Sequence, residues 1–118
     1  MQTKDKKEDV VLRALVFGEE VSLAVLDTTQ TVNRAIEIHG LSALSAAALG
    51  RTLTAATYLC SGLKEEQSAL SVTIKGDGIG GGIYVSGVGA LHMRGFIENA
   101  DAGLPPNARG KLDVGGCV

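Results

Sequence analysis

Hydrophobic positions change their period along this chain, and each change predicts a different element. From Val10 to Phe17, Leu12, Ala14 and Val16 alternate weakly with Arg13, Leu15 and Phe17. A polar "GEE" follows, then a second apolar run from Val21 to Leu26. Two such runs joined by a short polar turn predict a β-hairpin. The period then lengthens: Val32, Ala35, Ile36 and His39 fall at helical spacing. Thr28 or Thr29 can cap the start of that helix, and Gly40 can end it in the left-handed conformation.

Ser42 or Ser45 can cap a second helix, which runs to about Leu63. It carries two stripes. Leu49, Leu53, Ala56, Cys60 and Leu63 form an apolar one, and Ala43, Ala47, Gly50, Thr54, Thr57 and Ser61 form a line of small side chains. A helix with so little charge is buried on most sides, and small residues let another backbone approach. Arg51, its lone charge, either snorkels to water or pairs with a carboxylate.

Beyond "KEEQ" the period shortens to two. In "ALSVTIK", Leu70, Val72 and Ile74 take one face and Ser71, Thr73 and Lys75 the other, the mark of a half-buried antiparallel strand. "GIYVS" and "ALHMRGFI" read as further strands joined by a tight "GVG". "ENADAGLPPNARG" is a long loop, since Pro105 and Pro106 donate no ladder hydrogen bonds. In "KLDVGGCV", Leu112 and Val114 begin another strand, whose edge near Val114 would be unpaired. The expected fold is α+β, a mainly antiparallel sheet with a helix pair that includes one long, largely buried helix. Residues 1–9 are expected to be a frayed leader and residues 10–118 a single domain.

Composition narrows the functions. The 118 residues carry a formal net charge of -2, so no basic field draws phosphate backbones. Phe17, Tyr58, Tyr84 and Phe96 are the only aromatics, a thin supply for base stacking, and no nucleic-acid partner is expected. Arg51 sits mid-way in the one stretch long enough to span a bilayer, Leu41–Leu63, at a cost of about 2.5–3.5 kcal/mol, so no membrane partner is expected either. Cys60 and Cys117 form no paired spacing and read as two reduced thiols of a cytoplasmic protein. "MQTKDKKED" does not resemble a signal peptide.

One motif invites an enzymatic or nucleotide-binding reading. Gly76, Gly78 and Gly81 spell G-x-G-x-x-G. Such a loop needs a strand before it and a helix after it, because the helix amino terminus receives the pyrophosphate. "GGIYVSGVGALHM" cannot supply that helix, and no Gly-Lys-Ser/Thr follows. The stretch therefore reads as a strand-to-strand turn, with Asp77-Gly78 at a position needing positive φ and Gly80 to Gly82 allowing a bulge or a close backbone approach. A small phosphate- or nucleotide-binding domain using residues 76–82 is the competing reading. His39 suits a helix carboxyl terminus, and His92 faces solvent. No C-x-x-C or H-x-x-x-H joins them to the cysteines, so no metal is expected in this chain. Ser86 lacks a nucleophile elbow, and no catalytic constellation is evident.

Three stretches together resemble a known family. "SAAALGRTLTAATYLCSGLK" is similar to the central helix of the redox-regulated heat-shock chaperones (holdases) of about 33 kDa. "LSVTIKGDGIGGGIYVSGVGALHMRGFI" resembles their glycine turn and following strands, and "LPPNARGKLDVGGCV" resembles their Asn-containing loop and Gly-Lys-Leu-Asp-Val-Gly segment. The resemblance implies an ATP-independent chaperone that holds unfolding proteins under oxidative stress. It also implies zinc on four cysteines, in C-x-C and C-x-x-C pairs, in the full-length family. This chain has none of those pairs, so neither zinc nor redox control carries over. The chain is expected to be the amino-terminal part of a longer protein, ending inside its core domain. An intact native mass of 12.1 kDa would count against that expectation. A holdase needs exposed apolar surface, and the candidate is the sheet face of Leu70, Val72, Ile74, Ile83, Val85, Leu91 and Met93, unless that face packs on the long helix. Unfolded clients are the expected partners, together with self-association by strand or helix exchange. A bare assembly module without client activity is the third reading.

Overall fold

The computed structural model of the chain describes residues 8–118. The hairpin is present: β1 (Val10–Val16) and β2 (Val21–Asp27) pair antiparallel, with Leu12 opposite Val25 and Ala14 opposite Leu23. Residues 1–7 of the expected leader lie outside the described residues. Asp9, its last residue, is firmly engaged. Its carboxylate accepts hydrogen bonds from the amides of Gln30 and Thr31 at 2.8 and 2.9 Å and from the Thr31 hydroxyl at 2.6 Å.

Those bonds cap α1 (Thr29–His39). The expected threonine cap is not what forms: Thr28 makes no side-chain cap bond, and Asp27 Oδ1 instead accepts the Thr29 amide at 3.0 Å. Two carboxylates at the positive end of the helix dipole outcompete a hydroxyl. The Thr28 hydroxyl is used elsewhere, 2.7 Å from that of Thr54. Gly40 ends the helix as expected, at φ 61° and ψ 47°, its amide donating to Ile36 O.

The second helix, α2 (Ala43–Ser61), starts at Ser42, whose hydroxyl oxygen accepts the Ser45 amide at 3.2 Å. Its apolar stripe is the centre of the core: Leu49, Leu53, Ala56 and Cys60 are all at most 1% exposed. The small-residue line receives α1. A Cβ on Gly50 would stand 3.0 Å from a Val32 methyl, so the glycine lets α1 pack closely and an added methyl would require the Val32 side chain to shift by a few tenths of an ångström. Arg51 is exposed and does not burden the core.

Across α2 lies one antiparallel sheet in the order β3 (Ala69–Ile74), β4 (Ile83–Val88), β5 (Met93–Ile97). The register sets Val72 opposite Val85, and Val85 opposite Gly95. Three expectations change here. The β4–β5 connection is longer than "GVG": β4 continues through Val88, and Leu91 sits in the turn at φ 63°, so β5 begins only at Met93 and Leu91 leaves the sheet face. In the β3–β4 connection, positive φ falls on Gly81 at 69°, not on Gly78. Finally, Val114–Cys117 is not a strand but a short helical turn, α3, with no strand edge at Val114. Asp113 offers its carboxylate to the Gly116 amide at 3.0 Å, and two glycines have little strand preference to set against that cap.

Candidate functional site

The glycine turn is occupied by the protein itself. Gly78 donates its amide to Val118 O at 3.1 Å, and Gly80 donates to Cys117 O at 2.8 Å. A Cβ on Gly78 would lie 2.3 Å from Cys117 O, so the glycine is needed for backbone to meet backbone. Strand β4, not a helix, follows at Ile83. The amides a phosphate would need are therefore spent on α3, which corrects the competing nucleotide reading of residues 76–82. The loop after β5 locks the arrangement: Asn99 donates its side-chain amide to Ile79 O at 3.0 Å and its backbone amide to Gly80 O at 3.0 Å. That loop is also stapled to α2, where the Ser42 and Ser45 hydroxyls donate to Ala102 O and Asn99 O, each at 2.7 Å.

The sheet has two faces of different character. Ile83 and Val85 are 1% and 3% exposed, in the core beneath α2, and Val72, Ile74 and Met93 pack against that core half-buried. Leu70, also half-buried, shares their phase on β3. Six of the seven residues singled out from sequence thus form one face, and it is the face the long helix covers. Leu91 is apart in its turn, 39% exposed.

The opposite face is open. Thr73, Tyr84 and Phe96 stand in one cross-strand row, and Ser71, Ser86 and Arg94 in the next. The Tyr84 and Phe96 rings stack with centroids 5.0 Å apart and planes at 23°. Together with Ile38 and His39 from the end of α1 they line a concavity of about 720 Å³. His39 Nε2–H donates to Gly95 O at 2.9 Å, which fixes the end of α1 beside β5. Sequence reasoning passed over this face because its polar positions look merely solvent-facing. The signal was present in Tyr84 and Phe96, two of four aromatics, both out of phase with the core positions.

Among the described residues no three His, Cys, Asp or Glu side chains gather as a metal set, so the residues present do not fit the zinc that the resemblance implies for full-length relatives. Cys60 and Cys117 are fully buried. Burial raises both thiol pKa values above the ordinary 9.0; at Cys117 the hydrogen bond with the Gly80 backbone opposes this and the Asp113 charge adds to it. Thiols that stay protonated are poor ligands and poor nucleophiles. His92 is exposed in the turn before β5. No helix among the described residues is long and apolar enough to cross a membrane.

Comparison with known proteins agrees with this architecture. The family model described as Hsp33 protein matches residues 9–118. A 33 kDa chaperonin of Acetivibrio thermocellus is 40% identical over 111 residues, which are 94% of this chain and 38% of that protein. One from Ruminiclostridium cellulolyticum is 48% identical over 87 residues, 74% of this chain and 30% of that protein. The crystal structure of the 33 kDa chaperonin (heat shock protein 33 homolog) from Thermotoga maritima superposes with a TM-score of 0.81 at 27% identity, covering 90% of this chain and 36% of that one. The chain therefore spans well under half the length of the relatives it matches. With the family model covering nearly every residue, the helix pair and the antiparallel sheets described above place this chain in the Hsp33 family.

Proposed function

We propose that this chain is part of an ATP-independent chaperone that holds unfolding proteins and keeps them from aggregating. Membership of the Hsp33 family across residues 9–118 carries the reading. The partners are apolar segments of unfolded clients, and no catalytic step is assigned to any residue. The surface that suits them is the outer sheet face. Phe96 is 48% exposed and Ile38 61% exposed, and the stacked Tyr84–Phe96 pair offers a rigid apolar platform beside Arg94. Leu70, Val72, Ile74, Ile83, Val85 and Met93 serve clients only if α2 lifts from the sheet, because α2 covers them in the folded chain. A cytoplasmic setting and oxidative-stress duty belong to the same proposal.

The reading is tested by light scattering of a heat-unfolding protein. Excess chain should suppress the aggregation, and Phe96→Ser should weaken suppression several-fold, since an exposed aromatic contributes most of its worth through buried area. Unchanged aggregation with the unaltered chain would leave an assembly role alone. Self-association is proposed through β3, whose outer edge carries no neighbouring strand among the described residues. Sedimentation showing a monomer at high concentration would count against it.

A further inference from the structure

The concavity on the outer face of the β3–β4–β5 sheet adjoins a second space. A crevice of about 210 Å³ opens between α1 and β5, with Arg34 on the helix side and Arg94 on the strand side. Ile38, His39, Arg94 and Gly95 line both spaces, so Arg94 stands where they meet. The His39 bond to Gly95 O holds the two walls together. Charge in this recess is one-sided: Arg34 and Arg94 line it, and no Asp or Glu does. Arg34 meets only Glu37, at 3.6 Å, with the two side chains 72% and 70% exposed, and solvent keeps such a pair weak. Arg94 forms no ion pair and no side-chain hydrogen bond among the described residues, and neither do the Ser71 and Ser86 hydroxyls in its cross-strand row. Arg94 and Phe96 are two residues apart on β5, so they share a face about 7 Å apart along the strand.

We propose that this recess is a binding site for small aromatic anions. A planar ring lies on the stacked Tyr84–Phe96 pair, and a carboxylate attached to it meets the Arg94 guanidinium, with Arg34 adding charge from α1. Three observations select that ligand class. The concavity, at about 720 Å³, has the size of small-molecule sites, which are mostly apolar with a few polar groups that fix orientation. The guanidinium is a planar fork that matches a carboxylate, and here it has no carboxylate of its own. An uncharged apolar ligand would cover that fork without pairing it, and a bare anion would leave the rings in water; a ligand with both parts satisfies both neighbours. The inference goes beyond the client-binding reading and does not rest on it, because the ligand is small and its binding is measured with no client present.

Titration of this chain with 2-naphthoate, 2-naphthamide and acetate, followed by amide chemical shifts, tests it. 2-Naphthoate should bind with a dissociation constant of about 1 mM or tighter. The uncharged amide, which keeps the ring, and acetate, which keeps the charge, should each bind at least about tenfold more weakly. Arg94→Gln should abolish the preference for naphthoate over naphthamide, Arg94→Lys should retain part of it, and Phe96→Ser should weaken both aromatic ligands several-fold. Equal affinity for the acid and its amide would overturn the proposal, as would no binding of 2-naphthoate at several times that concentration. So would a preference that survives Arg94→Gln. Should the variants fail to fold, the unaltered chain still decides: 2-naphthoate should shift the amides of Ile38, His39 and Met93–Ile97 and leave those of β1 and β2 in place. Largest shifts outside the recess would assign the ligand to another surface and sink the idea.

Discussion

At the scale of single residues, the glycines of the β3–β4 turn are spaced for backbone contact rather than for a ligand. Gly78 shows this, because a Cβ there would collide with the Cys117 carbonyl oxygen at 2.3 Å and displace α3. Gly78→Ala is expected to cost about 2–3 kcal/mol of unfolding free energy by urea titration, within the range for substitutions that force a packed backbone to move. Gly103→Ala, where a Cβ would meet nothing within 4 Å, should be near neutral in the same assay. The two buried thiols make a second prediction. Their pKa values are raised in the folded chain, so above pH 9 the unfolded state loses protons that the native state keeps. Stability should therefore be unaffected by these groups below the unfolded value and should fall as pH rises past it, by up to about 1.4 kcal/mol per pH unit for each thiol. Urea midpoints between neutral and alkaline pH check this. Replacing both cysteines by alanine should flatten the alkaline limb, whatever packing energy is lost.

Elements follow from the residues where a repeating pattern had several turns or strand repeats in which to declare itself. Leu49, Leu53, Ala56 and Cys60 recur over the last three turns of α2, and Leu70, Val72 and Ile74 over β3; both assignments hold. Short segments misled. Leu112 and Val114 offered one alternation, and a local cap from Asp113 outweighed it. Leu91 matched the phase of Met93, but the turn that returns the chain from β4 draws it to positive φ. The candidate site was legible only in part for a related reason. Alternation separates the two faces of a sheet, yet which one meets a helix depends on tertiary packing, and the Tyr84–Phe96 stack needs the register that the turn sets. The clearest energetic test at this scale is the start of α2. Ser42 caps the helix and also donates to Ala102 O, so it joins helix to loop. Ser42→Ala should cost about 1–2 kcal/mol in thermal or urea unfolding, the sum of a lost cap and a partly buried acceptor left unpaired. Ser71→Ala, on the exposed outer face, should stay within about 0.5 kcal/mol. Equal losses at the two sites would mean that the cap does not hold the loop.

For the molecule as a whole, charge and apolar surface point to the same mode of binding. The net charge of -2 is too small to steer clients over distance, and the concavity on the outer sheet face is lined by Phe96, Tyr84 and Ile38 together with Arg94. On the proposed reading, client capture there would draw on apolar burial, which salt does not screen, whereas capture by complementary charge would weaken as the Debye length contracts from ~14 to ~4 Å between roughly 0.05 and 0.5 M salt. Aggregation suppression by this chain, followed by light scattering across that range, should change by less than about twofold. Clients of opposite net charge should be held about equally well at any one salt concentration. A steep loss with salt, or a preference for acidic clients, would move the contact from the aromatic pair to Arg94 and its neighbours. Phe96→Ser separates the two cases once more: it lowers capture at every salt concentration if the rings carry the binding, and leaves the salt-dependent fraction intact if the cation does.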